Sequence, residues 1–332
     1  MRTTFHVFRS SSSRNSRPGR TNCQLQFPPT FCQRIGHYAE GFVKFCTVFG
    51  HTQTLPESLG SFYSFYSTIS IPSLALFISY LHARKLASST IKSYLSAISY
   101  VHKLKGLRDP TQAFLINKLL TALSRQSSCD IRLPILRPVL PELVGSLGHT
   151  VSSAFQRTLY TAMFLLAFYG FFRIGELAAK SANSGSAVVQ YNQLRFLTQK
   201  GNVQMIKIII TKFKHNTTNR LFDILIEREL SSPFYPVQAM LNFCKHRGHQ
   251  PGPLFCHTDM SPITASQFNI ELHRCLMFCG LDTSRYKGHS FRIGAACYAA
   301  DKGFSDAQIR ALGRWKSDAF KVYIRSDTLH AN

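Results

Sequence analysis

GHSFRIGAACYAADKGFSDAQIRALGRWKSDAFKVYIR, residues 288–325, carries the sharpest local pattern in the chain. From Phe291 to Lys302, Ile293, Ala296, Ala299 and Ala300 recur at helical steps, and Gly303 stops the run. Ser305-Asp306-Ala307-Gln308 has the form of a capping box and opens a second helix. Gly313 closes that helix. Ser317 is placed to cap a third one carrying Phe320, Val322, Tyr323 and Ile324. Four side chains with chemistry stand at its joints: His289, Arg292, Trp315 and Tyr323.

Working back toward the N-terminus, Phe155 to Ala179 is strongly apolar and predicts one long central helix, with Arg173 and Glu176 near its end. Between these stretches the period changes. Val203, Met205, Ile206, Ile208, Ile209, Ile210 and Thr211 form a strand-like run from Gly201 to Lys214, and Leu221 to Ile226 forms a second. The turn-rich His215-Asn216-Thr217-Thr218-Asn219 joins them, so a β-hairpin carrying Lys212 and Lys214 is expected. Residues 129–140, with Pro134 and Pro138, read as an extended linker. Residues 31–128 read as a helical domain. Its clearest helix, Ser89 to Lys105, sets Ile91, Tyr94, Leu95, Ile98, Val101 and Leu104 on one stripe and Lys92, Lys103 and Lys105 off it. Residues 1–30 read as a disordered basic arm, since RSSSSRNSRPGR at 9–20 holds nothing apolar. The fold class is therefore mainly α with a small β-hairpin: a helical domain, a linker, and an α+β domain over 141–332.

The chain has 332 residues, 45% of them hydrophobic, enough for cores and for two domains. Its net charge is +23 and its pI about 10.0, so its surface attracts nucleic acid or anionic lipid. The uncharged run Ser58–Leu81 carries many hydroxyls and Pro72, a poor lipid-facing sequence, and the greasier Thr158–Phe172 is too short to span. No transmembrane segment or membrane partner is expected, and residues 1–20 lack the apolar core of a secretory leader. Nine cysteines, an odd number, are read as reduced thiols. Cys244, His246, His249, Cys256 and His257 cluster, but with the spacing of no common zinc finger, so no metal is expected there.

Taken singly, the chemistry-bearing residues have plain explanations. Arg173 and Glu176 at i, i+3 suit a helix-surface ion pair, and Trp315 and Tyr323 suit a core. Taken together they describe a phosphodiester site. Two arginines can clamp the non-bridging oxygens of one phosphate with a charge that does not titrate away. That charge would stabilise a tyrosyl oxyanion as nucleophile. A hairpin lysine could protonate the leaving oxygen, a histidine could share the attacking proton, and an indole could shield the site.

At these positions the sequence resembles the tyrosine recombinases, or phage-integrase-type recombinases, whose pattern R…K…H-x-x-R…H/W…Y is filled here by Arg173, Lys212, His289 with Arg292, Trp315 and Tyr323. FYGFFRIGEL and LGRWKSDAFKVYIR look most like versions carried by eukaryotic mobile elements, and TIKSYLSAISYVHKLKGLRDPT looks like the family's core-binding domain. The resemblance implies site-specific cleavage and rejoining of DNA through a 3′-phosphotyrosyl intermediate at Tyr323, with no cofactor, no metal and no small-molecule substrate. It implies Arg173 and Arg292 on the scissile phosphate, Lys212 as general acid with Lys214 competing for that role, and His289 and Trp315 hydrogen-bonded to the phosphate. Glu176 would orient the arginines, and Lys92, Lys103, Lys105 and Lys214 would contact DNA. Double-stranded DNA and a synaptic dimer or tetramer are the implied partners, and the nucleus the implied compartment. Trp315 and Tyr323 lie eight residues apart where the family commonly has nine. Three other readings stand beside it: a mobile-element relic that binds DNA without cutting it, a topoisomerase using the same chemistry, and a plain helix-turn-helix over residues 291–312.

Overall fold

A computed structural model describes residues 37–38, 41–42, 44–46, 69–104, 106–126, 132–211, 221–228 and 234–324. The chain divides into two compact units that part between Asp130 and Ile131. Lys105, Lys212 and Lys214, the turn at His215–Asn219 and the basic arm lie outside the described residues.

The first unit is helical. Helix α1 (Ile71–Ala83) begins where the Ser70 hydroxyl accepts from the Ser73 N–H, with Pro72 in the first turn, where its missing N–H costs nothing. Helix α2 (Ser88–Leu104) buries Ile91, Leu95, Ile98 and Val101, the stripe read from the sequence. Tyr94 is only half-buried and Leu104 is 52% exposed, because the core does not reach the helix end. With α3 (Phe114–Gln126) contributing Ile116, these side chains close over Phe42, Phe45, Leu74, Phe77, Ile78 and Leu81. The rings interlock edge-on, Phe42 on Phe77 at 4.9 Å.

The second unit is built around α5 (Ala154–Tyr169), which packs against α4 (Val139–Thr150), α6 (Pro236–Arg247) and α8 (His289–Asp301). Every residue of α5 from Ala162 to Tyr169 is buried, so its sequence is apolar all round. The single helix expected over 155–179 is broken. Gly170 caps α5, Phe171 takes a left-handed backbone at φ 52°, and one further turn, Ile174–Leu177, follows. The apolar run continues through this kink because both sides of it face the same core.

The expected hairpin is present as β2 (Asn202–Ile210) and β3 (Phe222–Glu227), paired antiparallel with Ile206 opposite Ile226 and Ile208 opposite Ile224. A third strand, β1 (Leu194–Gln199), adds to the other edge of β2, giving the order β1-β2-β3. Ile206, Ile208, Ile210, Ile224 and Ile226 all turn into the core, the period-two signature of a half-buried sheet.

The linker expected at 129–140 does not extend through 132–140. The Leu133 N–H donates to the Arg285 carbonyl and the Ile135 N–H to the Ser290 carbonyl, and Ile135 is fully buried. Gly294 on α8 makes this possible: a Cβ there would lie 1.8 Å from the Ile135 carbonyl oxygen. Prolines are compatible with a free linker or a docked extended segment; the bare Gly294 selects docking.

Helix α7 (Ala265–Phe278) and helix α9 (Asp306–Gly313) complete the unit. The capping box opening α9 is as expected, Ser305 and Gln308 exchanging hydrogen bonds with each other's backbone. The third helix is instead a 3-10 segment, Asp318–Val322, tightened to i→i+3 bonds that bury Phe320. Among the described residues no helix is long and apolar enough to cross a membrane.

Candidate active site

The site gathers at the kink after α5, the first turn of α8 and the segment after α9. Arg173 precedes the turn Ile174–Leu177, and Glu176 on that turn reaches back to it twice. One carboxylate oxygen accepts from the Arg173 backbone N–H at 3.0 Å, the other from its guanidinium at 3.1 Å. The ion pair suggested by the i, i+3 spacing is therefore real but not a surface pair, since Glu176 is buried and Arg173 only partly open.

His289 and Arg292 stand one turn apart on α8 and so share a face. Arg292 is fully buried. Its two terminal nitrogens donate to the carbonyls of Phe171 and Gly313, and its guanidinium lies 4.2 Å from the Trp315 ring centroid, a cation–π contact. A Cβ on Gly313 would overlap the Trp315 ring, so this crossing requires glycine. Burial, then the like charges of Arg173 and Arg314, pull the Arg292 guanidinium down to about 9, still charged at neutral pH. The structure thus brings Arg292 to the site but turns it inward, and of the two arginines expected on a phosphate, Arg173 is the open one.

Tyr323 ends the 3-10 segment. Its hydroxyl lies 3.1 Å from Nε2 of His289. The rings meet edge-on at 5.4 Å, and the Tyr323 ring also lies 6.4 Å from that of Trp315. Burial, and the charges of Arg292, Arg132 and Arg173, push the His289 imidazole down to about 4. It is neutral at physiological pH, and in the tautomer protonated at Nδ1 its Nε2 accepts the phenolic proton. The Cys297 thiol donates to the Tyr323 carbonyl at 3.2 Å, fixing the backbone of that residue.

Sequence reading missed two arginines. Arg132, in the proline-rich stretch, acts electrostatically on His289 because that stretch docks beside α8. Arg314, next to Trp315, is buried and pairs with Glu176 at 2.7 Å. Nothing in composition or spacing distinguishes Arg132 from the many other basic residues, whereas Arg314 stands nine residues before Tyr323, one more than Trp315. Of the residues expected on DNA in the helical unit, Lys92 is exposed, while Lys103 is exposed but ion-paired with Asp109 at 3.6 Å. Among the described residues no group of three His, Cys, Asp or Glu side chains could hold a metal ion. In the Cys–His cluster, His249 bonds the Tyr191 hydroxyl at 2.8 Å and His257 meets Gln267 at 3.0 Å.

Compared by sequence, the chain matches no family model and no curated protein. Compared by structure, it matches solved recombinases and integrases. The XerH site-specific recombinase, in a post-cleavage complex with palindromic difH substrate, superposes with a TM-score of 0.60 at 16% identity, over 87% of this chain and 75% of that one. A lambda integrase dimer bound to a COC′ core site gives 0.58 at 11% identity, over 93% of each chain. The Tn1549 transposon integrase with transposon right end DNA gives 0.58 at 10% identity, over 89% and 95%. The chain has the fold of the tyrosine recombinases.

Proposed function

We propose that this chain cuts and rejoins DNA strands at specific sites, with Tyr323 as the nucleophile. The observation that carries the reading is the Tyr323 hydroxyl, 3.1 Å from a neutral His289, at a site where Arg173 and Arg314 share the one carboxylate of Glu176 and Arg292 adds a third positive charge. Such a surplus of positive charge, much of it buried, calls for an anion, and a phosphodiester supplies one.

In the proposed step the Tyr323 oxygen attacks the scissile phosphorus and its proton passes to Nε2 of His289. The bond to the 5′ oxygen breaks, leaving a 3′-phosphotyrosyl enzyme and a 5′ hydroxyl. Lys212, or alternatively Lys214, is the proposed donor of the proton that the 5′ oxygen takes up. Attack by a 5′ hydroxyl from another strand reverses the sequence, so no ATP is consumed. Arg173, the open guanidinium, contacts the phosphate, and Arg292 contributes its charge from beneath the Trp315 indole. The fold's solved examples include DNA-bound complexes, one of them a dimer, which supports duplex DNA as substrate and self-association on it. The inward Arg292 favours a second reading, a protein that binds DNA without cutting it.

A covalent-trapping assay separates the two. Duplexes nicked just past a cleavage point let the short 5′-hydroxyl fragment diffuse away. Wild type is expected to give a protein–DNA adduct on a denaturing gel, and Tyr323→Phe none. Specific binding with no adduct would leave the binding-only reading, and an adduct persisting in Tyr323→Phe would assign another nucleophile.

A further inference from the structure

We infer that Arg314 is a positioning residue that couples the two arginines of the phosphate site. The inference rests on the reading above. Arg314 follows α9 with a left-handed backbone, φ 55° and ψ 42°, a position where glycine or asparagine is the usual occupant. Its side chain is 1% exposed. One terminal nitrogen donates to the Glu176 carboxylate at 2.7 Å and to the Phe171 carbonyl at 3.1 Å, and the other lies 3.3 Å from the Gly170 carbonyl. The guanidinium stacks near Phe172 and Phe222, at 5.3 and 5.6 Å from their centroids.

Two of these acceptors, the Glu176 carboxylate and the Phe171 carbonyl, are shared with the site. Glu176 holds Arg173 through its other oxygen, so Arg314 fixes the carboxylate that aims Arg173. The Phe171 carbonyl also receives Arg292. The kink that ends α5 is thus gripped by Arg314 and Arg292 together, and a shift of either moves the carbonyl that the other uses. Arg314 cannot reach a substrate, being enclosed; its effect passes through Arg173 and Arg292. A lysine could supply the charge, but one ammonium lacks the planar fork that meets the carboxylate and two carbonyls at once.

A double-mutant cycle on the full chain tests this, using Arg314→Met, Arg173→Met and the pair, with adduct formation on nicked duplex as the rate and a thermal melt as the check on folding. Arg314→Met is expected to slow adduct formation on the order of 100-fold, the scale of an ångström-sized misplacement. Once Arg173 is already methionine, adding Arg314→Met should cost less than threefold, because the residue acts through the one already lost. Arg314→Lys, which keeps the charge, should fold and should show the same non-additivity with a smaller loss. Multiplicative losses, or a folded Arg314→Lys with the wild-type rate, would overturn the proposal. So would failure of both variants to fold, which would assign Arg314 to the fold alone. If wild type binds DNA but forms no adduct, the cleavage reading fails and the same cycle is read on DNA affinity: a loss that vanishes in the Arg173→Met background supports the coupling, and additive losses overturn it. If wild type binds no DNA, both fall.

Discussion

His289 shows how surroundings set the role of one side chain. Burial, and then the charges of Arg292, Arg132 and Arg173, push its pKa down to about 4, from an ordinary 6.5. Two outcomes follow. If the neutral ring takes the Tyr323 proton, the apparent second-order rate of adduct formation should not fall between pH 8 and 5 and should fall only toward pH 4 as the ring protonates. An acid limb near 6.5 instead would mean that a histidine in an ordinary environment is the one titrating. The second outcome concerns stability. The unfolded chain protonates this histidine near 6.5 and the folded chain near 4, so protons favour the unfolded state between those values and stability is lost as pH falls from 6.5 to 4. His289→Gln should flatten that part of the melting-temperature profile relative to wild type. Arg173, His289, Arg292 and Tyr323 were singled out by the family pattern they resemble, and the structure brings them to one place. The inward turn of Arg292, the effect of Arg132 on His289 and the burial of Arg314 against Glu176 were not legible in the sequence, because which of many arginines is buried depends on segments far apart in sequence.

Among the elements, the well-punctuated ones were readable and the weakly buried or bent ones were not. Helix α9 announced itself through the Ser305 box, and α2 through Ile91, Leu95, Ile98 and Val101. Strand β1 gave no alternation because most of its side chains face solvent; it exists by pairing with β2. The break at Gly170–Phe171 was invisible because the residues beyond it remain apolar. The docking of residues 132–136 on α8 hinges on Gly294. Gly294→Ala forces a methyl into the Ile135 carbonyl and is expected to destabilise the protein by about 1–3 kcal/mol, the cost of overpacking a filled interior. Gly145→Ala, where a Cβ would meet nothing within 4 Å, is the matched control and should be close to neutral or stabilising. Chemical denaturation of both variants measures the difference. Equal stabilities would remove the claim that this contact holds the segment.

For the molecule as a whole, a net charge of +23 makes the proposed association with DNA salt-dependent. The logarithm of affinity should fall linearly with the logarithm of salt concentration. Lys92→Ala should reduce that slope by about one, as expected when a phosphate contact is lost. Lys103→Ala should change it less, since Asp109 already neutralises that lysine in part. Removing residues 1–20, with Arg9, Arg14, Arg17 and Arg20, should lower both affinity and slope; an unchanged slope in titrations of binding against salt would show that the arm makes no phosphate contact. Charge, the helical periods and the strand pair β2–β3 were fixed by the sequence itself, because each is set by composition or by the pattern of residues along a short stretch. The pocket was decided by tertiary structure. Pairing Arg173 and Arg314 with Glu176, turning Arg292 onto the Phe171 and Gly313 carbonyls, and placing the Tyr323 hydroxyl against His289 require a kink after α5, a glycine crossing at Gly313 and a 3-10 turn at 318–322 to meet in space. Burial and long-range contact create the field that makes those residues a site.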